Sequence, residues 1–310
     1  MPIRARAFSP AGISSFFQIC NKERNGKSIT DPERIGSRGG GFAIKKGVWT
    51  DVEVIKSKAR EVKIFINNKL APDALTSRTV VDMLLERINE PYNVIVKHRV
   101  EVPIGAGFGT SAGGALSTAL ALSSALNISV TSRELGRIAH VAEVKCKTGL
   151  GTVSGLLFGG CVIVLEPGSL KYGSVDQIPI SPNYLIVSGV FQPRLTEEFL
   201  RSTRKQATIN RIGGETLTRI LSEPSLENFM RSCREFAIKT GLATDRVIEL
   251  MTTAEKAGAI GAAQNMLGEA VHVLVQRDKA KNVIKVFEKF LAQDQIVVAE
   301  ISLESAHLVT

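Results

Sequence analysis

The sequence predicts an α+β protein with two domains. The chain has 310 residues, about twice the length of an average domain. Its β-prone and helical segments recur in runs that favour layers of sheet and helix. A turn-rich segment over residues 168–182 is the third observation, because clustered turn residues mark connections between structured regions. We therefore expect an N-terminal domain over residues 1–168 and a C-terminal domain over residues 182–310.

Strands dominate the beginning of the N-terminal half. Residues 1–66 are typical of strands and turns, with short β-prone runs at 48–56 and 62–66. Apolar residues at helical spacing predict a helix over residues 75–89, which ends before Pro91. From Val94 to Val102 the residues follow a period of two, with mainly apolar side chains on one face, which predicts a half-buried strand. His98 falls on its apolar face, so we expect a hydrogen-bonded core histidine there.

Helices follow a glycine-rich loop that begins at Pro103. Small residues then predict a buried helix to about Leu126. Thr131, with Glu134 three residues later, has the spacing of a capping box and starts a helix that ends near Gly149. A continuous apolar run over 160–166 predicts a buried strand. Later segments predict a strand at 184–190, helices at 196–208, 213–221, 226–240 and 243–257, strand 272–275, helix 280–292 and strand 295–302.

Composition excludes several classes of protein. Apolar residues make up 44% and charged residues 22%, which is ordinary for a globular chain and excludes a disordered or coiled-coil chain. The net charge of +9 is scattered, so no basic stripe for nucleic acid is predicted. Residues 102–132 lack charge, but their apolar part is too short to cross a membrane. Four separated cysteines and no secretory signal at the amino terminus favour a cytoplasmic protein with reduced thiols.

The segment over residues 103–114 carries most of the chemical information. It reads Pro-Ile-Gly-Ala-Gly-Phe-Gly-Thr-Ser-Ala-Gly-Gly and lies between a predicted strand and a predicted helix. Glycines permit a close backbone approach, and a helix N-terminus offers free N–H groups to an anion. Thr110 and Ser111 add hydroxyl groups at that end. The segment therefore predicts a phosphate-binding loop, although it has neither the Lys of a P-loop nor the glycine spacing of a dinucleotide-binding loop.

The same segment resembles the second motif of the GHMP kinases, in the form Pro-x-x-x-Gly-Phe-Gly-Thr-Ser-Ala. Residues 9–12, Ser-Pro-Ala-Gly, resemble the first motif of that family, and residues 258–268 resemble its glycine-rich third motif. Segments 36–41, 147–153 and 261–268 make the chain most similar to the archaeal pantoate kinase family. The resemblance runs in colinear order along nearly the whole chain.

This resemblance implies a two-domain GHMP kinase fold with the ATP site in the cleft between the domains. It implies ATP-dependent phosphorylation of pantoate, a small-molecule substrate, to 4-phosphopantoate for coenzyme A synthesis, with Mg²⁺ on the phosphates. Ser111 matches the family's metal-binding serine, and Glu143 is the best match for its metal-binding glutamate. No nucleic acid or membrane partner is expected, and a homodimer is compatible with the sequence. The residues expected to bind ATP are Pro103, Gly105, Gly107, Gly109, Thr110, Ser111 and Ala112.

The chain departs from the family pattern at two positions. Many members carry Lys or a similar polar residue after the first motif, where this chain has Gly12. Some use an aspartate as the catalytic base, and the matching position here is Thr152, which cannot act as a base near neutral pH. Either another group takes the proton, or the reaction proceeds by positioning and charge stabilisation alone.

Pantoate carries a carboxylate, which suits the fork-shaped guanidinium of an arginine. Arg38, flanked by a serine and three glycines, is the first candidate for this clamp, and Arg211 is the second. Arg38 completes the expected catalytic set with the two metal ligands, because a held carboxylate aims the distant hydroxyl at the γ-phosphate. The two amide side chains of the third motif either order that loop or touch the ligand. The residues expected to bind substrate are Ser37, Arg38, Arg211, Gln264 and Asn265.

Other functions stay open at this point. The same fold acts on other small hydroxy or amino acids, such as homoserine or mevalonate, and a substrate panel separates these. Thr152 favours a non-catalytic regulator that binds ATP, which turnover of any hydroxy acid excludes. A basic nucleic-acid-binding protein is a more distant alternative, and salt-dependent retention of DNA would be its mark.

Overall fold

A computed structural model describes residues 1–23, 25–88, 90–193 and 203–309. Two β-sheets organise these residues, one of eight strands and one of four. The strands of the larger sheet are β1 (Ile3–Cys20), β2 (Gly36–Lys56), β3 (Glu61–Ile66), β4 (Lys69–Leu70), β5 (Tyr92–Val100), β6 (Cys161–Glu166), β7 (Ser174–Ile178) and β12 (His307–Val309). Those of the smaller sheet are β8 (Tyr184–Gln192), β9 (Gly261–Gln264), β10 (Glu269–Gln276) and β11 (Ile296–Glu300).

The larger sheet has the strand order β12-β1-β2-β5-β3-β4, and β6 and β7 extend it from β2. Its pairs are antiparallel except for β3 with β5. The smaller sheet is antiparallel throughout, in the order β11-β8-β10-β9. The helices are α1 (Leu75–Leu85), α2 (Thr110–Ala125), α3 (Ser132–Cys146), α4 (Thr152–Leu156), α5 (Thr203–Ser222), α6 (Leu226–Lys239), α7 (Asp245–Lys256) and α8 (Ala280–Phe287). The predicted α+β class is confirmed.

Three hydrophobic clusters form the core. The largest joins the two sheets with α5 and α6, and Phe16 and Phe42 of the larger sheet meet Phe229 of α6 edge to face within it. A second cluster packs α1, α2 and α3 against the larger sheet. The third covers the smaller sheet with α7 and α8. Because α2 is built from small residues, it lies close against β1 and β2 and is buried along most of its length.

Local signals set most element boundaries. Thr131 caps α3 by accepting a hydrogen bond from the backbone N–H of Glu134 (3.2 Å), as its spacing predicts. His98 is buried on β5 and bonds to the hydroxyls of Thr50 (2.8 Å) and Ser77 (3.0 Å), which confirms a core histidine. Among the described helices, none combines the length and the apolar character needed to cross a membrane.

One prediction of secondary structure was wrong, and the turn-rich segment contains a strand besides its turns. The helices expected at 196–208 and 213–221 form one helix, α5, over its described residues, whereas 196–202 lie outside the described residues. Gly213 lies inside α5, where the missing side chain allows the helix to approach β1 closely. A Cβ at this position would lie 2.3 Å from the carbonyl oxygen of Phe17 on β1. The turn-rich segment 168–182 contains β7, which pairs with β6. β12 also lies in the larger sheet, beside β1, although it belongs to the far end of the chain.

Candidate active site

A cavity of about 870 Å³ opens between the β1–β2 pair, the glycine-rich loop before α2, the end of α3 and residues 266–268. Its lining includes parts of all three motifs singled out in the sequence: Gly12, the loop over 105–111 and Gly268. Apolar side chains such as Phe16, Ile19 and Val164 form part of its wall. A space of this volume is in the usual range for a small-molecule site.

The glycine-rich loop has a backbone that only glycine adopts easily. Gly105, Gly107 and Gly109 have φ of 76°, 78° and 58°. Gly109 is the N-cap of α2, so the first turn of that helix, with Thr110 and Ser111, faces the cavity. A helix N-terminus with free N–H groups behind a glycine loop is suited to hold phosphate.

The loop rests on the third glycine-rich segment. A methyl group on Gly107 would lie 2.8 Å from Cβ of Asn265, and one on Gly268 would lie 2.7 Å from the backbone of Ala106. Such distances are shorter than real Cβ contacts, so both positions need glycine. The two loops are therefore fitted to each other, and the position of the first depends on the second.

Asn265 is fixed in turn by a buried polar network. Its Nδ2 donates to Ser188 on β8 (3.1 Å), and its Oδ1 accepts from Nδ1 of His272 on β10 (2.9 Å). Nε2 of that histidine meets the hydroxyl of Ser15 on β1 at 2.9 Å. Burial lowers the pKa of His272 to about 3, so it is neutral and able to accept from Ser15. The network connects the two sheets behind the loop.

The hydrogen bonds of Gln264 and Asn265 thus fix the conformation of the third glycine-rich segment. Both are fully buried, and neither is part of the cavity lining. Nε2 of Gln264 donates to the carbonyl of Gly268 (2.8 Å) and closes the turn. Of the two readings that the sequence left open, these contacts support loop ordering.

Ser111 and Glu143 lie together at the start of α2. The hydroxyl of Ser111 donates to Oε1 of Glu143 (2.6 Å), and Thr148 donates to the same oxygen (3.1 Å). Gly149 lies directly against the carboxyl group of Glu143: a Cβ on Gly149 would lie 2.2 Å from Oε2. Burial raises the pKa of Glu143 to about 7, and the two hydroxyl hydrogen bonds lower it by less.

This donor set fits a hard divalent cation. Carboxylate and hydroxyl oxygens are the ligands that Mg²⁺ prefers, and Mg²⁺ usually takes one or two protein ligands together with phosphates and water. A buried carboxyl group that is costly to ionise is stabilised by a cation next to it. Within the described part of the chain, no group of three or more His, Cys, Asp or Glu side chains forms a metal site of its own.

Thr152 lies in space between Gly12 of the first motif and Gly109 of the glycine-rich loop. A Cβ on Gly12 would lie 2.8 Å, and one on Gly109 2.5 Å, from the Cγ2 methyl of Thr152. The backbone N–H of Gly12 donates to the carbonyl of Phe108 (3.0 Å), which joins the first motif to the loop. Thr152 therefore packs with its methyl group under the loop and also lines the cavity.

The two arginines expected at the substrate lie outside the cavity lining. Nη2 of Arg38 binds both carboxylate oxygens of Glu166 (3.1 and 3.0 Å). Neighbouring residues of a strand point to opposite faces, so Ser37 lines the cavity while Arg38 does not. Arg211 pairs with Glu215 one turn later on the exposed face of α5 (2.8 Å). Neither location supports a carboxylate clamp.

Lys147 was not among the site residues predicted from the sequence. Lys147 lines the cavity at the end of α3, and its backbone has a left-handed conformation with φ 56°. Its signal in the sequence was its place in the segment 147–153 that carries the resemblance. What the sequence alone does not give is the direction of its side chain.

Comparisons with known proteins show which proteins this chain is similar to. Residues 75–160 match the GHMP kinases N terminal domain. The chain is 30% identical to the pantoate kinase of Methanocaldococcus jannaschii, over 91% of this chain and 96% of the relative. It is 32% identical to the pantoate kinase of Thermococcus kodakarensis, over 89% of each. A solved structure described as a phosphotransferase related to the CoA biosynthesis pathway superposes with TM-score 0.88 at 29% identity, over 100% of this chain and 99% of that one.

Proposed function

The chain belongs to the pantoate kinases of the GHMP kinase family, and on this basis we propose that it transfers the γ-phosphoryl group of ATP to the 4-hydroxyl group of pantoate. The product is 4-phosphopantoate, an intermediate of coenzyme A synthesis. The observation that carries the proposal is the hydrogen-bonded pair of Ser111 and the buried Glu143, which lies at the N-terminus of α2 behind the glycine-rich loop. Phosphoryl transfer needs an anion cradle and a metal-binding oxygen pair at one point.

In this proposal the loop over 105–109 and the first turn of α2 hold the phosphates of ATP. The three glycines keep side chains out of the path of the phosphates, and the backbone N–H groups of the helix start face them. Thr110 contributes a hydroxyl at the same place. Because the loop is held by Asn265 and Gly268, it is already shaped before nucleotide binds.

Ser111 and Glu143 would hold Mg²⁺ on the phosphates. Bound there, Mg²⁺ offsets the charge that the phosphate oxygens carry during transfer. Glu143 must be ionised for this role, and Thr148 and Ser111 hold its carboxyl group in one orientation. Gly149 leaves room for the carboxyl group by having no side chain.

In this proposal no side chain acts as the base, and the hydroxyl proton is released to water as the bond from oxygen to phosphorus forms. Thr152 holds its methyl group against Gly12 and Gly109, which is a packing role. A loose transition state places little demand on deprotonation of the hydroxyl before the bond to phosphorus forms. Positioning of the two substrates and stabilisation of charge then supply the rate enhancement, and effective molarities from such positioning reach about 10⁵–10⁸ M.

The substrate lies beside Ser37 in this proposal. Ser37 lines the cavity from β2, and a Cβ on Gly151 would lie 2.5 Å from its hydroxyl oxygen. The apolar wall that includes Ile19 and Val164 suits the dimethyl carbon of pantoate. Homoserine lacks these methyl groups and carries an ammonium group instead.

A steady-state assay tests the function. The purified chain is given ATP and Mg²⁺ with pantoate, homoserine or mevalonate, and ADP and phosphorylated product are measured. We expect turnover of pantoate with kcat/KM at least 100-fold above that for the other two acids. Turnover of none of the three would contradict a kinase role, and preference for homoserine or mevalonate would contradict the substrate. Glu143→Gln should remove most activity, and Glu134→Gln on the outer face of the same helix should keep it.

A further inference from the structure

Lys147 occupies a backbone position that normally belongs to glycine. The N–H of Thr148 donates to the carbonyl of Glu143 (3.0 Å), and the N–H of Lys147 donates to that of Val144 (3.2 Å). These two bonds form the Schellman motif that ends α3, with Lys147 at its left-handed residue (φ 56°, ψ 32°). A side chain with a Cβ is disfavoured there, so a lysine at this point loses backbone stability that glycine would keep.

Lys147 is one of the residues that line the cavity. Within the described residues that line it, Lys147 carries the one positive charge, and Glu143 carries the one ionisable carboxyl group. Lys147 is exposed, and it forms no salt bridge within the described part of the chain. The backbone of α3 fixes its Cα one helical turn beyond the proposed metal ligand.

Two anionic groups enter the proposed site, the phosphates of ATP and the carboxylate of pantoate. The phosphates already meet the loop glycines, the start of α2 and the Ser111–Glu143 pair. Among the described residues, neither arginine expected to bind the carboxylate lies in the cavity lining, since Arg38 and Arg211 bind glutamates elsewhere. After Lys147 the chain runs towards Ser37, which Gly151 approaches closely, so Lys147 begins the segment that borders the substrate side.

We infer that Lys147 is the residue that binds the carboxylate of the substrate and thereby selects acids over neutral alcohols. This inference rests on the proposed pantoate kinase function. Its ammonium group contacts the carboxylate and neutralises its charge, which holds the far hydroxyl towards the γ-phosphate. The strained backbone at Lys147 is kept because the side chain is needed in the cavity.

The test compares pantoate with its neutral primary amide, in which the carboxylate is replaced and the 4-hydroxyl is kept. kcat and KM are measured for both compounds in the wild type, Lys147→Gln and Lys145→Gln. Lys145 is the matched control, because it is exposed on the last turn of the same helix and does not line the cavity. Lys147→Gln should reduce the preference for pantoate over the amide by about 10- to 100-fold, the range of one charged hydrogen bond. Lys145→Gln should keep the wild-type preference, and KM for ATP should stay unchanged in both variants.

Lys147→Gly separates this role from a structural one. Glycine relieves the left-handed backbone, so the variant should unfold at a higher temperature than the wild type while it loses the preference for the acid. An unchanged preference in Lys147→Gln and Lys147→Gly would overturn the inference. A rise in KM for ATP with an unchanged acid preference would overturn it too, and would place the ammonium on the nucleotide. If the wild type phosphorylates neither compound, the proposed function itself fails.

Discussion

Gly105 and Gly107 form a matched pair that tests how the phosphate loop is held. Their φ angles, 76° and 78°, are almost the same, so alanine at either position meets the same backbone strain, about 1–2 kcal/mol. They differ in what a methyl group would contact. Among the described residues, at Gly105 it meets Cβ of Pro193 at 3.3 Å, whereas at Gly107 it meets Cβ, C and O of Asn265 at 2.8, 3.0 and 3.1 Å.

The difference between the two alanine variants therefore isolates the contact with Asn265. Overpacking of a well-filled site costs about 1–3 kcal/mol, and Asn265 cannot retreat, because it is bonded to Ser188 and His272. We expect Gly107→Ala to lower the free energy of unfolding by about 1–3 kcal/mol more than Gly105→Ala does. Since the loop must move outward to make room, Gly107→Ala should also weaken ATP binding.

Urea unfolding measures the first effect. Trp49 is the single tryptophan of the chain and lies half-buried on β2, so its fluorescence reports the transition. Isothermal titration calorimetry with ATP measures the second effect in the folded variants. Equal losses of stability in the two variants would refute the proposal that Asn265 sets the position of the loop.

Three further predictions concern groups at or behind the cavity. Because burial raises the pKa of Glu143 from 4.5 to about 7, the metal-free folded protein keeps a proton that the unfolded chain releases. The contribution of Glu143 to the free energy of unfolding should thus fall by about 3 kcal/mol as the pH rises from 4.5 to 7. The free energy of unfolding of the wild type, measured in urea with EDTA, should therefore fall by this amount relative to that of Glu143→Gln, and parallel pH curves would contradict the shift. Thr152→Val should lower kcat by less than about 10²-fold in the pantoate assay, and a loss near 10⁴-fold would show that its hydroxyl has a chemical role. Asn265→Ala should lower the unfolding free energy by about 1–3 kcal/mol, because it leaves buried partners without hydrogen bonds, and should raise the Kd for ATP; unchanged values of both would contradict the network.

Local chemistry in the sequence predicted much of this structure. Residue spacing predicted the glycine-rich loop at the start of a helix and the cap at Thr131. The family resemblance named Ser111 and Glu143 together, and the two side chains are hydrogen-bonded. Such features depend on neighbours in the chain or on a motif with a fixed geometry. The same holds for the strand around His98, whose alternation gives its buried face directly.

Features that depend on distant contacts were not predictable in this way. Ser37 lines the cavity, whereas Arg38, its neighbour on β2, binds Glu166 outside the lining. A shift of one residue in strand register would exchange the two, and the register depends on the strands that pair with β2. Gly213 resembles a helix end in sequence, yet it is the point where α5 touches β1. In the sequence, Lys147 resembles an ordinary exposed lysine of a helix. Only the three-dimensional structure shows that α3 ends there and that Lys147 lines the cavity.

The pairing of β12 with β1 has a consequence for synthesis on the ribosome. β2 follows β1 closely in the chain and covers one of its edges, but the residues that cover the other edge are made after all the other described strands. Until then, the outer N–H and C=O groups of β1 near Arg6 and Phe8 have no strand beside them. An open edge of this kind can pair with another nascent chain. The pairing with β12 therefore closes an edge of β1 that is otherwise open to another chain, so loss of the β12 contacts should promote aggregation.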